Sequence, residues 1–139
     1  MTRDEILAKW DSLTPRERDV WIAKEIFNAR ICTRDDVRNF VVIGEFGEND
    51  IRPLNGGWKN CGWRQTEKKA WEDIPRYSTD IAAAWEVEEE IDKLYLRVAY
   101  CQALQIVVRN NNDYVTMFDY VHASPADRCK AALLAVMEG

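Results

Sequence analysis

The sequence predicts an α+β fold: a layered helix–sheet–helix sandwich, of three-layer type, around a small antiparallel sheet. Three observations carry that expectation. Helix-start signals open both ends and the centre of the chain. Apolar residues recur at helical spacing after each start. Between and after them lie short apolar runs whose residues alternate as strands do. With 139 residues, 47% of them hydrophobic and 31% charged, residues 1–139 form one domain large enough to bury a core.

Thr2-Arg3-Asp4-Glu5 has capping-box spacing, and a short helix follows through Ile6, Leu7 and Trp10. Asp11-Ser12-Leu13 ends it. Thr14-Pro15-Arg16-Glu17 starts a longer helix, with Pro15 suited to the first helical position. Val20, Ala23, Phe27 and Ile31 fall on one face, widened by Trp21, Ile22 and Ile26, and Arg30 lies at its end. Phe40 to Ile43 is apolar and reads as a strand. Residues 44–75 read as a long irregular excursion, holding five of the six glycines and Trp58, Trp63 and Trp71. Those tryptophans either staple the loop to the core or serve an interface or a stacking pocket.

The stretch from Tyr77 to Val87 is the most legible helix start, and the rest of the chain is organised around it. Ser78 or Thr79 caps it, Asp80 complements the dipole, three alanines propagate it and Trp85 anchors it. Val87, Ile91 and Leu94 continue its buried stripe, while Glu88-Glu89-Glu90 with Asp92 reads as a solvated face. Leu94 to Cys101 alternates as a strand does, although the same residues also allow a continued helix. Leu104, Ile106 and Val108, the turn Asn110-Asn111-Asn112-Asp113, and Tyr114 to Val121 predict a hairpin over about 103–121. Ser124-Pro125-Ala126-Asp127 opens the last helix, whose stripe is Cys129, Ala132, Leu133, Val136 and Met137.

Charge and composition narrow the function. The net charge of −5 lacks the basic stripe of a nucleic-acid polymer binder. Apolar runs fall far short of 18 residues and the acidic start has no signal core, so a cytoplasmic protein without membrane contact is expected. Four scattered cysteines (Cys32, Cys61, Cys101, Cys129) then read as reduced thiols, and with a single histidine, His122, no metal or other cofactor is expected. His122 has no nucleophile or orienting partner at motif spacing, and Asn55-Gly56-Gly57-Trp58 lacks the lysine and serine of a phosphate loop. A non-enzyme is the better reading. What remains is a binding set: Arg30, Arg76, Arg109, Arg128 and Lys130 for phosphate oxygens, Ser78 at a helix start, Asn110 and Asn112 for ribose or base, and Trp85 for stacking.

The stretch Tyr77-Ser78-Thr79-Asp80-Ile81-Ala82-Ala83-Ala84-Trp85-Glu86-Val87 also resembles the signature of the phage ABA-sandwich domain family. Cys129-Lys130-Ala131-Ala132-Leu133-Leu134-Ala135, the opening Met1 to Leu7 and Ala23 to Phe27 are similar to other parts of that family. The resemblance implies a small phage protein in a helix–sheet–helix sandwich. It further implies kinship with Thoeris anti-defence sponges, which hold cyclic ADP-ribose-type signals, and in some members cyclic oligonucleotides, without cleaving them. Such proteins assemble as dimers and larger rings with ligand between protomers, so a homo-oligomer in the infected host's cytoplasm is the expectation. Lys130 stands where the family commonly has arginine, keeping the charge but losing the bidentate fork. The alternative is a phage module that docks a host or phage protein through its Trp-rich loop.

Overall fold

The computed structural model describes residues 1–34, 39–59, 62–109 and 114–138. Among these the order is α1 (Arg3–Ser12), α2 (Pro15–Ile26), β1 (Arg30–Arg34), β2 (Asn39–Glu45), β3 (Ile51–Pro53), α3 (Glu67–Glu72), α4 (Ile81–Lys93), α5 (Arg97–Arg109), α6 (Met117–Val121) and α7 (Pro125–Met137). The α+β class holds, with seven described helices and a three-stranded antiparallel sheet in the order β1-β2-β3. The strands, however, are not where alternation alone placed all of them.

The helix starts work largely as their chemistry dictates. Thr2 accepts from the Glu5 amide, and Thr14 with Glu17 forms a complete capping box with Pro15 in the first turn. Ser124 caps α7 by accepting from the Asp127 amide. At α4 the cap is Asp80, whose carboxylate accepts from the Ala82 amide, and not Ser78 or Thr79 as the sequence suggested. Those two lie in the preceding turn, where Thr79 and Asp80 amides donate to the Arg76 carbonyl. Trp85 does not seat the helix either. It points outward and is 54% exposed, while Ala83, Ala84, Val87 and Ile91 make the buried face. Leu94, expected on that face, is exposed at the C-cap.

Helix α2 ends at Ile26 because Asn28 takes a left-handed φ of 51°. Arg30 and Ile31 therefore belong to β1 and not to the helix. β1 pairs with β2 in the register Arg30↔Ile43 to Arg34↔Asn39, and β2 with β3 from Ile43↔Pro53 to Glu45↔Ile51. Pro53 is tolerated because β3 is an edge strand. Gly44 is required by crowding: a Cβ there would sit 3.0 Å from the Phe27 carbonyl oxygen and from Leu54 Cδ2.

The region 44–75 is thus not one irregular excursion, since it contains β3 and α3. Its tryptophans divide. Trp71 is half-buried with Lys24 above its ring, Trp63 is half-buried under the Arg34 guanidinium at 4.1 Å, and Trp58 is 58% exposed.

The largest correction concerns 94–121. No strand forms among its described residues: 97–109 is α5 and 117–121 is α6. Tyr95 explains the first part. Its φ of 60° ends α4 in a Schellman motif, with the Tyr95 amide donating to the Asp92 carbonyl and the Leu96 amide to that of Ile91. After that reset, Tyr100, Ala103, Leu104, Val107 and Val108 recur at helical spacing and face inward. The turn expected at Asn110 to Asp113 lies outside the described residues, as does Cys61.

The core centres on α7, which packs against α1, α2, α4 and α5. Cys129, Ala131, Ala132 and Leu133 are wholly buried, and the alanines let neighbouring helices approach closely. Sheet and helices meet at Phe27, whose ring stacks on Tyr77 (5.2 Å) and tilts against Phe46 (5.0 Å). The acidic run after α4's midpoint is only partly a solvated face. Glu90 is buried and accepts from the Gly47 amide, and Glu88 is half-buried in an ion pair.

Candidate functional sites

The residues singled out from sequence separate into two neighbourhoods. Around the start of α4, Ser78 is buried, with its amide and hydroxyl both donating to Asp19 of α2. Arg76 is exposed, and its chain neighbours Pro75 and Tyr77 line a cleft. Trp85 is exposed next to Glu86, which lines the same cleft. Arg30 lies at the sheet edge, paired with Glu45 at 3.1 Å.

The second neighbourhood gathers residues distant in sequence. A polar groove of about 360 Å³ runs between the end of α5, α6 and the start of α7. Val107, Val108, Phe118, Asp119, His122 and Lys130 line it, with Asp127 at its side. Arg109 follows Val108 directly as the last residue of α5. Arg128 lies just outside with its guanidinium occupied: it binds both Glu88 oxygens at 2.9 and 3.1 Å and the carbonyls of Tyr120, Val121 and Ala123. Arg128 is thus a joint between α4, α6 and α7. Asn110 and Asn112 lie outside the described residues.

The sequence sets His122 aside for want of a partner at motif spacing, and Asp119 carries no motif at all. Both arrive through α6. Thr116 and Asp119 form a capping box, and the bonds from the Thr116 amide and hydroxyl hold the Asp119 carboxyl below its ordinary value. His122 ends α6, and its ring lies 4.1 Å from that of Phe118. Around the groove, Tyr114, Met117, Phe118 and Val121 are each at least 65% exposed. That is much apolar surface for a five-residue helix and the segment just before it.

The cleft beside α4 measures about 270 Å³ and is lined by Phe46, Arg52, Leu54, Gly57, Tyr77 and Glu86, among others. Its signal was also hidden in the sequence, because Arg52 and Phe46 sit in the stretch taken as irregular. Arg52 lies 3.8 Å over the Phe46 ring. Burial raises the Glu86 carboxyl above its ordinary value, partly opposed by Arg52.

Among the described residues no group of three or more His, Cys, Asp and Glu side chains could hold a metal ion, and no helix is long and apolar enough to cross a membrane. No curated protein and no solved structure matches the chain. One family model does, the Phage ABA sandwich domain, over residues 20–133. That span takes in the sheet, both clefts and the whole of α4, and the chain belongs to the phage ABA sandwich domain family.

Proposed function

We propose that this phage-domain protein is a non-catalytic sponge, sequestering a cyclic nucleotide signal of the cyclic ADP-ribose type in the groove between α5, α6 and α7. The observation that carries the reading is the convergence there of Lys130 with the end of α5 that bears Arg109, beside the exposed apolar face of α6. Lys130 supplies charge for a pyrophosphate, and the Phe118–His122 pair supplies a stacking edge. Asp119 and Asp127 accept from ribose hydroxyls or a base amine. The groove is open on one side, and a second protomer seated on Met117, Phe118 and Val121 closes it. That arrangement requires a homo-oligomer, no cofactor, and action in the cytoplasm of the infected cell.

Calorimetric titration with cyclic ADP-ribose isomers and cyclic trinucleotides tests the reading, followed by heating and chromatography of the released ligand. Intact ligand and an affinity about tenfold weaker in Lys130→Ala are expected. A hydrolysed product, or no binding by a well-folded protein, overturns it. Sedimentation adds a second check, since a strict monomer removes the closing protomer.

The 58% exposure of Trp58 favours one other reading, a protein-docking module built on the Trp-rich loop. A single stoichiometric partner lost in Trp58→Ala, with no ligand titration, is its expected outcome.

A further inference from the structure

Helix α6 is held in place differently from the rest of the fold. Among the described helices it alone buries none of its residues. Met117, Phe118 and Val121 are exposed, and within the helix Tyr120 alone packs partly against the core. A helix of five residues does not stand on its own propensity, because nucleation fixes several residues for one hydrogen bond. Its own bonds are also long. The Asp119 amide reaches the Thr116 hydroxyl at 3.4 Å, the Tyr120 amide the Thr116 carbonyl at 3.4 Å, and the Ala123 amide the Tyr120 carbonyl at 3.3 Å.

What fixes α6 is Arg128, one turn into α7. Its guanidinium donates to the carbonyls of Tyr120 at 3.3 Å, Val121 at 3.0 Å and Ala123 at 3.0 Å. These lie at the helix end that leaves carbonyls without partners, where a cation also meets the negative end of the dipole. The same guanidinium spans both oxygens of Glu88, and the Tyr100 hydroxyl donates to Glu88 at 2.6 Å. Arg128 is therefore anchored to α4 and α5 independently of α6. At the other end of α6 stands only the capping box of Thr116 and Asp119, open to solvent.

The groove depends on this segment for one wall. Phe118, Asp119 and His122 line it from α6, whereas Val107, Val108, Asp127 and Lys130 line it from α5 and α7.

We propose that α6 is a flap: residues 117–122 open off α5 as a unit while the remainder stays folded, and Arg128 is the clasp that shuts it. Opening takes Phe118, Asp119 and His122 out of the groove wall. Segments that open in this way are those with few buried contacts and solvent-exposed hydrogen bonds. The motion belongs to the free protein and does not depend on the sponge reading.

Hydrogen–deuterium exchange of the full-length protein, resolved by mass spectrometry at peptides from α6 and α7, tests it. The Tyr120, Val121 and His122 amides are expected to exchange about tenfold slower than an unstructured chain, and about 100-fold faster than the buried turn 131–134 of α7. Urea below the unfolding transition should speed the α7 amides and leave those of α6 unchanged, because a small opening exposes little surface. Thr116→Ala loosens the capped end, and Arg128→Lys keeps the charge at the clasp without the fork. Each should speed exchange in α6 about tenfold, and Thr116→Ala, at an exposed position, should leave α7 at its wild-type rate. Exchange of α6 and α7 at one rate with one response to urea overturns the proposal. So does exchange of α6 at the unstructured rate, or an unchanged α6 rate in both variants.

Discussion

Asp19 holds Ser78 by both its backbone and its side chain. One carboxylate oxygen accepts from the Ser78 amide at 2.8 Å and from its hydroxyl at 2.7 Å, with both residues buried. The Pro15 carbonyl lies farther from that hydroxyl, at 3.2 Å, so the proton goes to the carboxylate. Arg16 closes the arrangement, giving one nitrogen to Asp19 and another to the carbonyls of Glu72 and Ile74. The turn before α4 is thereby fixed to α2, and from the other side the Cys129 thiol donates to the Tyr77 carbonyl.

Asp19→Ala is therefore expected to cost about 3 kcal/mol, because it strands a buried amide and half of the Arg16 fork. Ser78→Ala should cost about 1–2 kcal/mol, since the Ser78 amide still reaches Asp19. Urea unfolding of the two variants measures the difference. Equal losses would mean that the hydroxyl, and not the carboxylate, holds the turn.

Arg128 and Lys130 have similar places in the sequence and different ones in the fold. Arg128→Ala breaks a largely buried ion pair and three bonds to carbonyls, and should lower stability by about 3 kcal/mol. Lys130→Ala should change stability by less than about 0.5 kcal/mol and act on ligand affinity instead. Thermal melts beside ligand titrations separate the two roles.

What the sequence disclosed and what it hid follow from the range of the forces involved. Caps at Thr14, Asp80 and Ser124 act over three residues, so the starts of α2, α4 and α7 could be read within a residue or two. Tyr95 is different. Nothing local marks a tyrosine for a left-handed φ, yet that one residue turns 94–109 from an alternating pattern into a helix packed on α7. The same limit applies to the sites. Lys130 is legible as a cation for phosphate oxygens, whereas Tyr77, Arg52 and Glu86 become a cleft only when β3 is laid beside the turn before α4.

Tyr95 also offers a stabilising change. Its side chain is 93% exposed and contributes no packing, while its φ carries the cost of a side chain in left-handed space. Tyr95→Gly should raise stability by about 0.5–1 kcal/mol, seen as a melting point higher by a few degrees. A lower melting point would show that the ring makes a contact worth more than the strain.

Thiol reactivity should rank the cysteines by burial. Burial, and then the charges of Asp19 and Glu88, push the Cys129 thiol far above its ordinary value of 9.0, and it already donates to the Tyr77 carbonyl. Cys101 is exposed and Cys32 half-buried. In a Cys61→Ser background at neutral pH, a maleimide should label Cys101 first, and Cys129 only at the rate of unfolding. Mass spectrometry of quenched samples reads the order directly. Early modification of Cys129 would mean that the joint between α7 and the turn before α4 opens locally.

Stability against acid should carry two opposing signatures. Bonds from Thr14 hold the Glu17 carboxyl below its ordinary 4.5, and those from Thr116 hold Asp119 below its ordinary 3.8. For both groups the unfolded chain binds protons more readily than the folded one. Their contribution is present above those ordinary values and disappears as pH falls through the lowered folded ones. Glu86 runs the other way. Burial raises its carboxyl above 4.5, so the folded state favours the protonated form and stability falls as pH rises from 4.5 through the raised value. Melting curves from pH 2 to 7 should therefore show Glu17→Gln and Asp119→Asn less stable than the wild type near pH 7 and converging on it at the acid end. Glu86→Gln should match the wild type near pH 3 and exceed it at pH 7. A Glu86→Gln protein less stable than wild type at neutral pH would mean that the carboxylate is held by a cation, and Arg52 is the charge in position to do so.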